Sequence, residues 1–178
     1  MNILHIIQDM NIGGAQRVLY NIAKRMKNDH HIVLTYQVCD EYKELLRQLL
    51  NTEVKVIMNM GEFVRAIQDY TYDIVHYHWW PGMKVMGTIF EKKKIPVVLS
   101  LQEQCVPPKI NAFYVAGSRS NFEYLKDIPA DRKKYIYFGI DTELFPENKK
   151  EVITEPVVLG RVSTIIPTKI PHNLIETL

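Results

Sequence analysis

Cysteine is scarce in this chain: Cys39 and Cys105 are the only two in 178 residues. Neither sits in a metal-ligand spacing or a disulfide framework, so the expectation is a reduced cytoplasmic protein with no metal site. Long apolar runs are missing too. None approaches the roughly 20 residues that span a bilayer, and the N-terminus lacks the charged-then-apolar layout of a signal peptide. Any membrane contact would be peripheral, at the inner face. Excess charge of one sign is also absent. A net charge of +2 argues against a nucleic-acid partner, although Lys92-Lys93-Lys94, Lys133-Lys134 and Lys149-Lys150 could each add to a local basic face. The dinucleotide fingerprint G-x-G-x-x-G does not occur.

What is present is a folded composition, 47% hydrophobic and 24% charged, in which apolar runs rich in β-branched residues alternate with segments of helical period. Strands are expected at 2–8, 31–38, 53–58, 73–78, 96–101, 112–115 and 135–137. The helices between them are expected from Gly14, at 41–50 and 61–70, from Pro81 to about Lys92, and at 118–125. Several strands read as nearly continuous apolar runs, which a parallel strand covered on both faces requires. The fold class that follows is α/β, a doubly wound, mostly parallel, Rossmann-like sheet.

Such sheets bind ligands outside the carboxyl ends of their strands. Four polar loops fall there: Gly13-Gly14 after the first strand, Trp79-Trp80 after His78, Gln102-Glu103-Gln104 after Leu101, and Gly117-Ser118 after the sixth. The glycine pair opens a helix, whose first amides lack partners and carry partial positive charge, a cradle for phosphate or a sugar hydroxyl. The same pair would also serve as a tight turn. Arg17 reads as an exposed side chain, and His76 and Tyr77 as packed inside their strand. His78 is placed to pack at the rim or to touch an acceptor. Glu103 is either a solvated carboxylate or a base. Ser118 reads first as a helix N-cap.

From Asp141 to Glu155 the composition turns polar, as a linker would. A further strand is expected at 156–162 and a helix start at 171–178, giving residues 1–140 as one domain, 141–155 as linker and 156–178 as the opening of a second, absent domain.

The order of these motifs resembles the retaining nucleotide-sugar glycosyltransferases of two-domain type-B (GT-B) architecture, often called family 4. Gly13 to Val18 reads Gly-Gly-Ala-Gln-Arg-Val where that family has Gly-Gly-Ala-Glu-Arg-Val. Asp73-Ile74-Val75-His76 matches its Asp-hydrophobic-Val-His strand. Ser118 with Leu125 is similar to its Val-Ser helix start, and Phe138-Gly139-Ile140-Asp141-Thr142 to its Asn-Gly-Val-Asp-Thr segment. Gly160-Arg161 and Lys169 are similar to the opening of its second domain. The chain departs at Ser100-Leu101-Gln102-Glu103, where the family has Thr-x-His-Asp, and at Phe138, where it has Asn.

The resemblance implies the N-terminal, acceptor-side half of an enzyme that moves a sugar with retention from a UDP- or GDP-sugar to a glycan or lipid-linked acceptor, with no cofactor and no metal. Arg161 and Lys169 would meet the charge that builds on the diphosphate. Gly13, Gly14, His78, Gln102, Glu103 and Ser118 would line the substrate cleft. The chain alone would be inactive. Alternatives are a noncatalytic nucleotide-sugar or partner-binding module of the same fold, an NAD-binding Rossmann domain with Asp40 as the ribose-binding acid, and a sugar-nucleotide epimerase.

Overall fold

The computed structural model describes residues 1–78 and 83–144, the side chains of 83–86 excepted. The expected strand at 156–162, the expected helix at 171–178, and Trp79, Trp80, Pro81, Arg161 and Lys169 lie outside the described residues. Two compact units are present, Met1–Asp141 and Thr142–Leu178.

In the first unit the strands β1 (Asn2–Ile6), β2 (His30–Thr35), β3 (Thr52–Val56), β4 (Ile74–Tyr77), β5 (Val97–Leu101), β6 (Phe113–Ala116) and β7 (Lys133–Tyr135) alternate with helices α1 (Gly14–Arg25), α2 (Asp40–Arg47), α3 (Met60–Asp69), α4 (Met83–Lys92) and α5 (Arg119–Glu123). The sheet order is β3-β2-β1-β4-β5-β6-β7. Every pairing is parallel. The Rossmann-like α/β sheet expected from the sequence is therefore what forms, and the order reverses direction between β1 and β4, the topological switch point.

Parallel strands covered on both faces must be apolar on both, and β1 is buried from Ile3 to Ile6. Leu4 and Ile6 face a core with Phe63 and Ile67 of α3 and Phe90 of α4. Ile7 and Val33 face the other core, with Leu19 and Tyr20 of α1 and Tyr42 and Leu46 of α2. Asn59 caps α3 by accepting from the Glu62 amide at 3.0 Å, while the Glu62 carboxylate accepts from Met58 N at 2.8 Å. These two contacts stop β3 short of its expected end and start the helix.

The last strand corrects the sequence reading. It runs over Lys133–Tyr135, not 135–137, because a 3₁₀ turn at Ala130–Arg132 delivers Lys133 straight to the sheet edge opposite Tyr114. An edge strand tolerates lysines. Lys133 donates to Leu125 O at 2.7 Å and lies over the Phe122 ring, while Ile136 and Tyr137 emerge exposed.

The lysine runs do not act as uniform basic faces. Lys93 folds back to donate to Ile67 O at 3.1 Å and sits over Tyr72. Lys94 closes α4 with φ 56°, a left-handed conformation that disfavours a residue with Cβ. Lys94→Gly is expected to stabilise the protein by roughly 0.5–1 kcal/mol, read as a rise in urea midpoint at constant slope.

Candidate functional site

Because β1, β4, β5 and β6 are neighbours and parallel, the loops after them leave one edge of the sheet. Gly13, His78, Gln102 and Ser118 all follow those strand ends, so the structure brings them to one rim. Their environments differ.

At the α1 start the two glycines have separate reasons. Gly13 has φ −173° and ψ 172°, extended backbone that any residue adopts. Its missing Cβ makes room for Gln16, whose Oε1 would lie 2.5 Å away. That side chain reaches back to donate to Asp9 O and Asp9 Oδ1, both at 3.0 Å, fixing the loop onto the helix. The family's Glu at this position would face the Asp9 carboxylate; Gln supplies the donor. Gly14, by contrast, has nothing within 4 Å of where a Cβ would stand. Among the described residues no side chain caps this helix, and its first turn holds no acid. Its amides are thus open to an anion.

Ser118 is the α5 N-cap, accepting from Asn121 N at 3.0 Å. Asn121 Nδ2 donates to Leu101 O at 3.2 Å, and Gln104 Nε2 to Ser120 Oγ at 2.8 Å, so the loop after β5 is tied to α5. Gln102 Nε2 is buried with no partner among the described residues; Glu103 is exposed. Gly117 is a packing glycine: a Cβ there would fall 2.0 Å from Phe138 Cε2. Gly117→Ala should therefore displace that ring and destabilise by about 1–3 kcal/mol, measurable by urea unfolding.

His78 faces inward instead of outward to an acceptor. It is 1% exposed, and it joins a network that strand patterning alone does not reveal. Residues paired in register point to the same face, and His5 pairs with His76; His31 and His78 fall on that face by the period of 2. His31 Nε2 lies 3.1 Å from Met26 O, a carbonyl that only accepts, so this nitrogen carries hydrogen. In neutral imidazoles the rest follows. His31 Nδ1 accepts from His5 Nε2 at 2.9 Å, His5 Nδ1 accepts from His78 Nε2 at 3.0 Å, and His78 Nδ1 is left bare, without a partner among the described residues. His76 Nε2 meets Ser100 Oγ at 2.7 Å.

Burial keeps the four rings neutral. It holds His5 and His78 well below the usual histidine range, reinforced by their histidine neighbours, moves His76 to about 4, and lowers His31. Beside the cluster, on the α1 face, is a mostly apolar cavity of about 410 Å³ whose polar lining includes Asn21, Arg25, His76 and Ser100. The H-x-H spacing at 76 and 78 was the available signal for the cluster, since alternate strand residues share a face; which other strands supply histidines depends on register.

At the far end of α1, Asp141 is 4% exposed. It pairs with Lys24 at 2.8 Å and Arg25 at 3.6 Å. The first residue of the expected linker is therefore anchored to the sheet unit, against basic side chains at a helix C-terminus.

Comparison with known proteins places this fold. No family model matches the chain, and no curated protein matches it in sequence. Solved structures of Anabaena Alr3699/HepE are similar: one in complex with UDP and glucose and one with UDP-glucose, each at TM-score 0.65 and 21% identity, and one with UDP at 0.64 and 20%. Each match covers 82% of this chain but 46% of the other, so the chain spans about half the length of the protein it resembles. The sheet unit is an α/β Rossmann-like domain that matches one half of a GT-B architecture. Among the described residues no helix is long and apolar enough to cross a membrane.

Proposed function

We propose that this chain is the acceptor-side half of a glycosyltransferase that moves a sugar, with retention and without a catalytic metal, from a UDP- or GDP-sugar to a glycan or lipid-linked acceptor at or near the cytoplasmic face of a membrane. The observation that carries the reading is the convergence of the loops after β1, β4, β5 and β6 on one rim, in a fold shared with a protein that binds UDP-glucose. Breaking the anomeric C–O bond leaves negative charge on the diphosphate, and preorganised donors aimed at it lower the barrier. Arg161 as a fork and Lys169 as a point charge are the cations of this reading, with the open α1 amides on the acceptor-side rim. Closure of a second lobe over the rim would exclude water as a competing acceptor.

A screen of nucleotide sugars against the complete polypeptide tests it. A UDP- or GDP-sugar should raise the melting temperature, since a ligand that binds only the native state stabilises it, and transfer should proceed in chelator. A shift with NAD and none with nucleotide sugars would overturn the reading.

Gly14→Ala separates ligand approach from turn geometry. With open space around the added methyl and helical backbone, the variant should be as stable as the parent or up to about 1 kcal/mol more so, yet its KM for donor should rise tenfold or more. Unchanged kinetics would make the glycine pair a turn only.

A further inference from the structure

We propose that His5, His76 and His78 form a binding site for a borderline divalent cation, zinc being the natural occupant, which pins β1 to β4 at the switch point of the sheet. This inference does not depend on the sugar-transfer reading. The three side chains each offer a nitrogen, and all three nitrogens lie within 4.8 Å of one another. The group contains no carboxylate or thiolate, and three imidazoles suit zinc, copper or nickel, not magnesium or calcium, which require oxygen ligands.

The surroundings have the features of a site. A ligating histidine is normally held by a hydrogen bond from its other ring nitrogen. His5 has this: its Nε2–H donates to His31 Nδ1, and His31 in turn donates to Met26 O. His78 Nδ1, buried and without a partner among the described residues, is free to take a proton, so His78 Nε2 can turn from donor to ligand. When the cation takes the place of the proton between His5 Nδ1 and His78 Nε2, now 3.0 Å apart, that proton moves to His78 Nδ1 and none is lost.

Ring spacing supports the same conclusion and states what must move. Imidazoles that radiate from one zinc at about 2.0–2.1 Å have their ring centres roughly 5 Å apart. His5 is already 5.5 Å from His76 and 5.2 Å from His78. His76 and His78 are tilted against each other with ring centres 3.9 Å apart and must part by roughly 1 Å. His76 lines the cavity, which gives it room and leaves a fourth coordination position open to water.

The experiment is a titration of chelator-treated, desalted protein with Co²⁺, followed by displacement with Zn²⁺. One equivalent of Co²⁺ should produce the visible d–d bands of a four-coordinate site of three nitrogens and one water, Zn²⁺ should abolish them, and either ion should raise the melting temperature. His76→Gln, at the cavity wall where a polar amide is accommodated, should weaken the site at least a hundredfold. His31→Leu removes the acceptor behind His5, together with the donor to Met26 O, and should weaken it tenfold to a hundredfold. His30→Gln, on an exposed neighbour, should leave it unchanged. Absence of bands and of any thermal shift at large excess of metal in the parent protein overturns the proposal, as does full-strength binding by His76→Gln.

Discussion

Lowering the pH from 7 to 4.5 in the presence of chelator is expected to unfold the protein, with most of the stability lost below about pH 6.5. Each buried histidine binds a proton less well in the native state than in the unfolded chain, where it titrates near 6.5. As pH falls through that value the unfolded state takes up protons first, so stability declines with acid and is fully present above it. For His76, whose folded value is about 4, the loss reaches about 3 kcal/mol at the bottom of its window, at about 1.4 kcal/mol per pH unit. His5 and His78, both held well below the usual histidine range by burial and by their histidine neighbours, act in the same direction and steepen the acid limb. Against a native stability on the order of 5–15 kcal/mol, the sum is decisive. Urea midpoints across pH 5 to 8 should fall steeply on the acid side, and His76→Gln should flatten that limb by about one proton. A midpoint that stays level from pH 7 to 5 would mean that the rings are hydrated or already charged.

The same histidines mark the boundary of what the sequence makes legible. Strand positions can be read because a parallel strand covered on both faces needs a continuous apolar run, and β1, β4 and β5 are such runs. The rim follows from topology, since adjacent parallel strands place their outgoing loops on one edge. Residue detail does not follow. Gly13 and Gly14 look identical in the chain, and only the position of Gln16 distinguishes a packing glycine from an open one. His78 ends a strand, which predicts a place at the rim; its ring turns inward because strand parity puts it on the face of His5 and His76. The β7 register depends on a 3₁₀ turn whose sequence, Ala130-Asp131-Arg132, carries no strong signal beside the attractive Tyr-Ile-Tyr run that follows.

Lys24→Met is expected to cost more than Asp141→Asn, although both remove the same ion pair. The Asp141 side chain is 3% exposed, whereas those of Lys24 and Arg25 are 36% and 62% exposed. Removing the lysine leaves a buried carboxylate facing Arg25 at 3.6 Å, too long for a good hydrogen bond. Breaking a buried ion pair costs about 3 kcal/mol when the remaining charge is uncompensated; the contacts Asp141 keeps and partial access of water at the lysine end reduce the penalty here to about 2 kcal/mol. Removing the carboxylate instead leaves two cations that reach solvent along their own stems and an amide that still accepts a hydrogen bond, a change of about 1 kcal/mol or less. Arg25→Met, which deletes the longer and more exposed contact, should fall within about 0.5 kcal/mol of the parent. The ordering Lys24→Met, then Asp141→Asn, then Arg25→Met, measured by urea unfolding at pH 7.5, identifies desolvation of Asp141 as the governing term. Equal and small losses for all three would show that the carboxylate keeps its water and that the contact closing the sheet unit is held by something other than charge.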